Sequence, residues 1–488
     1  MSLSSRAAKG GAIVLGFQGL KFLFNMLSIV VLARLIDPEY YGLLAMVAAI
    51  MGVASIFRDF GLSTAALQAK DLSHAQQSNL FWINFGVGAG LTVVGWFAAW
   101  PIAAFYGQPE LVPVVHWLAF TFIISGASTQ FRVVINRGLR FLTLAICDLT
   151  PYIVGFAAAV ATALAGYQLE ALVTQQLVVA LASLIGVVAA AKWFPSWPRR
   201  VDMSNLVRFG LSLAATQLVS YATRNVDSIA IGRVWGPVAL GNYDRAYQLM
   251  ITPLNQINTP LSSVAIPVLS RIQDEEERYL AYLRRAQLVA LYVTTLALGL
   301  LAALAPQIIP LLLGNNWEAA IPLVAVLAVG GIFRSLVQIC YWIYMSRGLA
   351  TAQLRYFLIA QPLLTGFMLL GLPWGAMGVA IGHSVGFAIY WAVSLMWVGR
   401  VAEVNVRPMF ADATRVLLVF SGPAAVLAAA AATYLPLHGD ALRLVVGLAV
   451  AAAWCALASW LNKRIRADLG NLVDFGKLAI RRRRGADA

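Results

Sequence analysis

The chain has 488 residues, 60% of them hydrophobic and only 11% charged, and its formal net charge is +14. No aqueous fold hides that much apolar surface, so a soluble enzyme or binding domain is excluded. The surplus positive charge sits in short loops along the whole chain rather than in one patch, which argues against nucleic acid as a partner.

Fourteen apolar stretches, each long enough to cross the roughly 30 Å hydrocarbon core, follow one another with little between them. Inside that core the backbone must satisfy its own hydrogen bonds, so the expected fold class is all-α integral membrane, with about fourteen transmembrane helices. The first seven spans are expected at 11–33, 41–57, 80–100, 112–131, 144–165, 169–191 and 209–234. The second seven are expected at 240–263, 288–305, 319–345, 354–370, 377–398, 416–434 and 442–461. The first is too long and too polar at its flanks for a cleaved leader.

On the first span Gln18, Lys21, Asn25 and Ser28 recur at spacings of three and four, so they share one face. Arg58 and Asp59 close the second span, either as a pair with each other or as a site for a coupling ion. The fifth carries Cys147 and Asp148, the latter a partner for Arg140 or a plain polar contact. Cys147, Cys340 and Cys455 all fall in or beside spans and read as small apolar packers. The connection 192–208, with Pro195 and Pro198, separates two halves.

The seventh span presents Gln217, Ser220, Tyr221, Arg224 and Asp227 on one face. Asp227 either pairs with Arg224 one turn away or binds a coupling proton or sodium ion. On the eighth, Arg245, Gln248, Thr252, Asn255 and Thr259 form a stripe, with Pro253 and Pro260 as expected bends. The tenth carries Arg334, Gln338 and Tyr341. Gly378, Gly382 and Gly386 on the twelfth read as intramolecular packing positions. After the last span, Leu469, Leu472, Val473 and Leu478 precede Arg481–Arg484. This tail is either an amphipathic helix on anionic lipid or a disordered basic segment.

Basic residues crowd alternate loops, as in Arg132, Arg137 and Arg140, or Arg278, Arg284 and Arg285. The opposite loops hold little beyond Arg34, Arg233 and Arg443. By the positive-inside rule both termini are expected in the cytoplasm. The chain also repeats itself at an offset of 199 residues. Ala33-Arg34-Leu35 with Pro38 and Gly42 returns as Gly232-Arg233-Val234 with Pro237 and Gly241. Six spans separate the copies, so the expected architecture is two six-helix lobes in a parallel pseudo-twofold repeat, with two added C-terminal helices. The domains are then an N-lobe at 1–191, the connection at 192–208 and a C-lobe at 209–399. The added spans at 400–462 and the tail at 463–488 follow.

A cation near the bilayer centre costs roughly 2.5–3.5 kcal/mol even on lenient scales. Lys21, Arg224, Arg245 and Arg334 are four such cations. Stripes from equivalent spans are expected to face a shared wet, cationic cleft suited to an anion, and arginine's planar fork suits phosphate. Gln18, Asn25, Gln217, Tyr221, Gln248 and Asn255 are the expected polar lining. No phosphate-binding loop occurs, and the histidines His74, His116, His383 and His438 show no ligand spacing, so they read as loop or lumenal polar groups rather than metal ligands. No outer loop is large enough to carry an active site. The pattern is that of a carrier, with neither metal nor cofactor expected.

Several segments are recognisable in this order. They include Val31-Leu32-Ala33-Arg34-Leu35-Ile36-Asp37 with Gly42-Leu43-Leu44, Asp59-Phe60-Gly61-Leu62, Gln130-Phe131-Arg132, and Tyr243 with Ala246-Tyr247. Ile272-Gln273-Asp274, and Gly314 with Trp317 and Ile321-Pro322, follow. Over about residues 4–399 the chain resembles the Wzx-like polysaccharide exporters, in the branch typified by the colanic acid exporter. That superfamily also holds MATE-type multidrug exporters and lipid II flippases. The resemblance implies a V-shaped, MATE- and MurJ-like bundle in a bacterial inner membrane. It also implies a flippase that takes undecaprenyl-diphosphate-linked oligosaccharide repeat units, working among membrane lipids and with polysaccharide polymerase or export machinery. Basic residues on the first, seventh and eighth helices of such flippases contact the diphosphate, which by position indicates Lys21, Arg224 and Arg245. A MATE-like exporter of small cations would want acidic cavity residues instead, an integral-membrane polymerase is disfavoured by the short outer loops, and a non-transporting scaffold would not need the midspan cations.

Overall fold

The computed structural model describes residues 3–59, 62–68, 72–204, 208, 225–436 and 438–470, with side chains from Gly16 onward except those of Phe57, Asp59, Ala65 and Gln68. Every regular element among them is helical. The chain runs α1 (Leu3–Leu35), α2 (Pro38–Asp59), α3 (Leu62–Gln68), α4 (His74–Tyr106), α5 (Leu111–Arg137), α6 (Phe141–Leu164) and α7 (Gln168–Ala191). It continues with α8 (Val226–Arg271), α9 (Glu276–Ala303), α10 (Ala305–Leu313), α11 (Ala320–Leu336), α12 (Gln338–Ser346), α13 (Ala350–Leu370) and α14 (Gly375–Val401). A short α15 (Arg407–Arg415) leads through a π-helical turn (Val416–Ser421) into α16 (Gly422–Tyr434), and α17 (Asp440–Leu461) follows. Eleven segments of the described residues are long and apolar enough to span, and one of them, Ala350–Val401, holds both α13 and α14. The protein is an all-helical, multi-pass integral membrane protein.

Two compact units divide the chain, Met1–Gly241 and Asn242–Ala488. In the first, α4 is 33 residues long, about 50 Å at 1.5 Å per residue, so it outreaches the hydrocarbon core. Its start is fixed by a capping box, in which Ser73 Oγ accepts from the Gln76 amide and Gln76 Oε1 accepts from the Ser73 amide. The connection after α7 lies along this same end. Ser196 N donates to Ser78 Oγ at 3.0 Å, Trp82 Nε1 donates to Ser196 O at 2.9 Å, and Asn79 and Arg199 exchange two bonds. The expected interlobe loop is therefore strapped to one helix, with Trp197 stacked on Trp82.

The repeated corner has a structural counterpart in the first unit. A Cβ placed on Gly42 would stand 1.8 Å from Pro237 O, and one on Gly241 would stand 1.9 Å from Pro38 O. Each glycine faces the proline that corresponds to its own, a reciprocity that a local twofold axis produces. The chain turns between the arms of the second copy at Gly236, whose φ of 78° is the non-helical point inside α8. Dihedrals stay helical at Pro253 and Pro260, and the non-helical point inside α8 is Gly236.

In the second unit α14 packs on α11 and α13 through small residues. Gly378 meets Gly371 O and Gly382 meets Phe367 O, both closer than any Cβ would allow. These are the intramolecular contacts expected of the glycine stripe. The charged groups Arg284, Asp412, Arg415 and Asp468 join α9, α15 and the helical segment 463–470. Asp412 accepts from Arg284 at 2.7 Å and lies 3.2 Å from Arg415, whose Nη2 donates to Asp468 at 2.6 Å. Tyr292 Oη also donates to Asp468, while Ile465 is fully buried and Leu469 packs against the Leu291 and Phe420 cluster. The described start of the tail thus seats its apolar face on protein, and Leu472, Val473, Leu478 and the arginine run lie outside the described residues.

Candidate functional site

In the first unit the α1 stripe presents Gln18 and Asn25 exposed and Lys21 half-buried. Helix α1 packs on α6, with Phe24 edge-on to Phe156 at 5.4 Å. One turn from that contact, Lys21 Nζ sits over the Tyr152 ring, 4.2 Å from its centroid. No carboxylate oxygen among the described residues lies within 4 Å of that ammonium. A cation on an aromatic face gains about 0.5–1 kcal/mol at an exposed site and keeps its full charge for another partner. Ser28, at the far end of the stripe, turns inward and takes a bond from Gln175 Nε2 at 3.3 Å.

In the second unit Arg334 projects from α11. Its Nη1 donates to Tyr247 Oη of α8 at 2.6 Å, and its guanidinium carbon lies 5.2 Å from the Phe387 ring centroid and 5.8 Å from that of Tyr247. Tyr247 is itself stacked on buried Tyr243. The guanidinium is half-buried, fixed by one hydrogen bond and flanked by two rings, again with no carboxylate within 4 Å among the described residues. A fork held this way loses little entropy on meeting a planar or tetrahedral oxyanion.

Arg245 differs. It is nine-tenths buried and stands 3.9 Å from Asp244, which also accepts from Gln248 Nε2 at 2.9 Å. Gln248 and Thr252 are half-buried along α8, and Asn255 and Thr259 are exposed. Gln338 donates to Ser262 Oγ at 3.0 Å, beside Trp342 Nε1 at 2.9 Å, so it ties α12 to α8. Asp227 is buried and accepts from the Ser228 amide at 2.9 Å. Arg58 is half-buried at the end of α2. The side chain of Asp59, and Gln217, Tyr221 and Arg224, lie outside the described residues.

Two sequence expectations are corrected. Asp148 is not the partner of Arg140; it pairs with Arg132 across α5 and α6, while Arg140 donates to Ala190 O. Helix packing decides this, because Arg132 and Asp148 face each other at one level of the bundle. Nor is His383 a loop or lumenal group. It lies within α14 and is fully buried, and neither of its ring nitrogens has a partner among the described residues. Such orphaned groups cost about 1–3 kcal/mol each, so a buried imidazole of this kind needs a reason. Of the rings that seat the cations, Tyr152 and Phe387 are unmarked in the sequence and Tyr247 appears there only as part of the family resemblance, since nothing local shows which helix each cation will face. Among the described residues no group of three His, Cys, Asp or Glu could hold a metal ion, and the three cysteines are free.

The described residues thus form an all-helical bundle with two cations seated on aromatic rings inside its spans. The family described as polysaccharide biosynthesis protein matches residues 31–322, and the chain belongs to it. It is similar to the lipopolysaccharide biosynthesis protein WzxC of Escherichia coli (strain K12), 25% identical over 375 residues covering 75% of this chain and 74% of that protein. The teichuronic acid biosynthesis protein TuaB of Bacillus subtilis (strain 168) is 30% identical over 292 residues, 58% of this chain and 60% of that one. Among solved structures, the lipid II flippase MurJ in its inward closed conformation aligns with a TM-score of 0.65 at 11% identity, over 91% of this chain and 98% of that one. An inward-facing multidrug resistance MATE transporter of the MOP superfamily aligns at 0.60 and 15% identity, over 80% and 98%. At those identities the likeness establishes the fold, which is the one the sequence resemblance implied. The protein is a multi-pass inner-membrane member of the polysaccharide biosynthesis family.

Proposed function

We propose that the protein is a flippase for undecaprenyl-diphosphate-linked oligosaccharide repeat units. It carries them from the cytoplasmic to the outer leaflet by alternating access, in the synthesis of an exopolysaccharide, capsule or O-antigen. Both termini face the cytoplasm in this reading. The observation that carries it is the manner in which Lys21 and Arg334 are held, on tyrosine and phenylalanine rings instead of carboxylates. An ion pair would have spent those charges; an aromatic seat keeps them for an incoming anion. Membership of a polysaccharide family supports the substrate class, and the likeness in fold to a lipid II flippase is consistent with the task.

In this mechanism the diphosphate binds Lys21, Arg224 and Arg334, with Arg245 and Asp244 supporting the α8 stripe. Gln18, Asn25, Gln217, Gln248 and Asn255 hydrate or bond the sugars, and Tyr221 offers a ring to stack on them. The prenyl chain stays in lipid. Taking two phosphate charges out of water is prohibitive without such cations. Once they are neutralised at the site, an inside-negative potential of about 100 mV contributes roughly 5 kcal/mol to outward passage of a dianion. A proton or sodium ion at Asp227, or at Arg58 and Asp59, is the alternative source of coupling.

Purified protein reconstituted with a fluorescent undecaprenyl-diphosphate oligosaccharide tests the reading. Flipping that requires the protein and rises with the imposed potential supports it. Transport of small organic cations in exchange for protons, without lipid flipping, would replace it with a MATE-like export activity.

A further inference from the structure

The second unit buries an imidazole, His383, that headgroup binding leaves unused. His383 meets Tyr247 edge-on, with ring centroids 5.9 Å apart, and tilts against Phe387 at 4.7 Å. Those are the two rings that seat Arg334. The imidazole therefore forms the layer directly behind the guanidinium. From α11, Gly330 makes room for it, since a Cβ there would stand 2.8 Å from Nδ1. From α13, the apolar residues Leu364, Phe367 and Met368 cover Gly382 and Gly386 on either side of the histidine. Among the described residues the charge acting on the ring is that of Arg334, and the other ionisable group facing it is Tyr247.

His383 and Arg334 share the Tyr247 and Phe387 rings, so an anion seated on the guanidinium also lies near the imidazole, whose two nitrogens are unpartnered among the described residues. One of those nitrogens can take a proton as the anion arrives. Resting on the flippase reading, we propose that His383 is a proton-binding site linked to anion binding at Arg334. A diphosphate bound there is accompanied by one proton, drawn from water and returned to it on release. The proton offsets one of the two phosphate charges carried through the apolar interior. Linkage is reciprocal, so the anion tightens the proton and the proton tightens the anion.

The test uses the full chain in lipid nanodiscs and a prenyl-diphosphate monosaccharide, whose diester phosphates do not titrate near neutrality. Calorimetric titration in buffers of different protonation heat reads protons taken up per anion bound. Wild type is expected to take up a proton, with affinity rising by up to about tenfold per pH unit as pH falls. His383→Asn and His383→Gln should bind with no proton uptake and a flat pH profile, and Tyr247→Phe should retain the uptake. Wild-type binding that is independent of buffer, or uptake unchanged in either His383 variant, overturns the inference and leaves the flippase reading standing. Failure of wild type to bind the diphosphate at all overturns that reading as well. The wild-type measurement decides even if neither variant folds.

Discussion

Lys21 and Arg334 are both midspan cations with no carboxylate within 4 Å among the described residues, yet they are built differently. Lys21 rests on a single, partly exposed ring where α1 packs on α6. Arg334 is hydrogen-bonded to Tyr247, faced by Phe387 and backed by a buried histidine. The first is a point charge on a flexible stem. The second is a preorganised fork, and on the proposed reading it is set before an anion arrives.

The largest effect that would break this comparison comes from the fork. Arg334→Ala should lower flipping at least 100-fold with the thermal midpoint nearly unchanged, because no carboxylate is left stranded, and Arg334→Lys should recover only part of the rate. Lys21→Ala should cost less, about tenfold, and Lys21→Arg should be well tolerated at so open a seat. The rings sharpen the contrast further. Tyr247→Phe removes one hydrogen bond to the guanidinium, worth about 0.5–1.5 kcal/mol, and should weaken headgroup affinity roughly threefold to tenfold. Tyr152→Phe preserves the ring under Lys21 and should change affinity less than about twofold. Equal losses from the two tyrosine variants, read by the same binding titration, would erase the distinction.

The smallest effect lies away from the site, at the docked tail. Burial raises the Asp468 carboxyl above its ordinary value of 3.8, against the opposing pull of Arg415 and the Tyr292 hydroxyl. The docked form therefore binds the proton more tightly than the undocked form. Its docking is strongest when the acid is protonated and weakens as pH rises through the carboxylate range. Hydrogen-exchange protection factors over 463–470 should be modestly higher near pH ~5 than near pH ~7, and Asp468→Asn should flatten that dependence.

The spans were readable because an apolar run of bilayer length has few alternatives, and α6, α7 and α17 begin and end within a few residues of expectation. Helix α4 was underestimated at both ends, since its capping box and its final turns are made of residues that hydropathy reads as interface. The duplicated corner was legible as Pro38 and Gly42 against Pro237 and Gly241, because close backbone approach demands glycine wherever it recurs. Of the site, the cations announced themselves by their cost in lipid. Their seats did not: which ring lies under Lys21 depends on α1 choosing α6, a tertiary fact with no local signature. His383 was misread for the same reason, since a single imidazole in an apolar run looks alike whether it faces a lumen or a sealed interior.

The account rests most directly on whether these held cations serve a lipid diphosphate. Reconstituted wild-type protein and the Lys21→Ala, Arg334→Ala double variant should be compared for flipping of an undecaprenyl-diphosphate oligosaccharide under an inside-negative potential. Rapid flipping by wild type, with the double variant folded but at the protein-free rate, is the predicted result. Flipping by the double variant at the wild-type rate would contradict it.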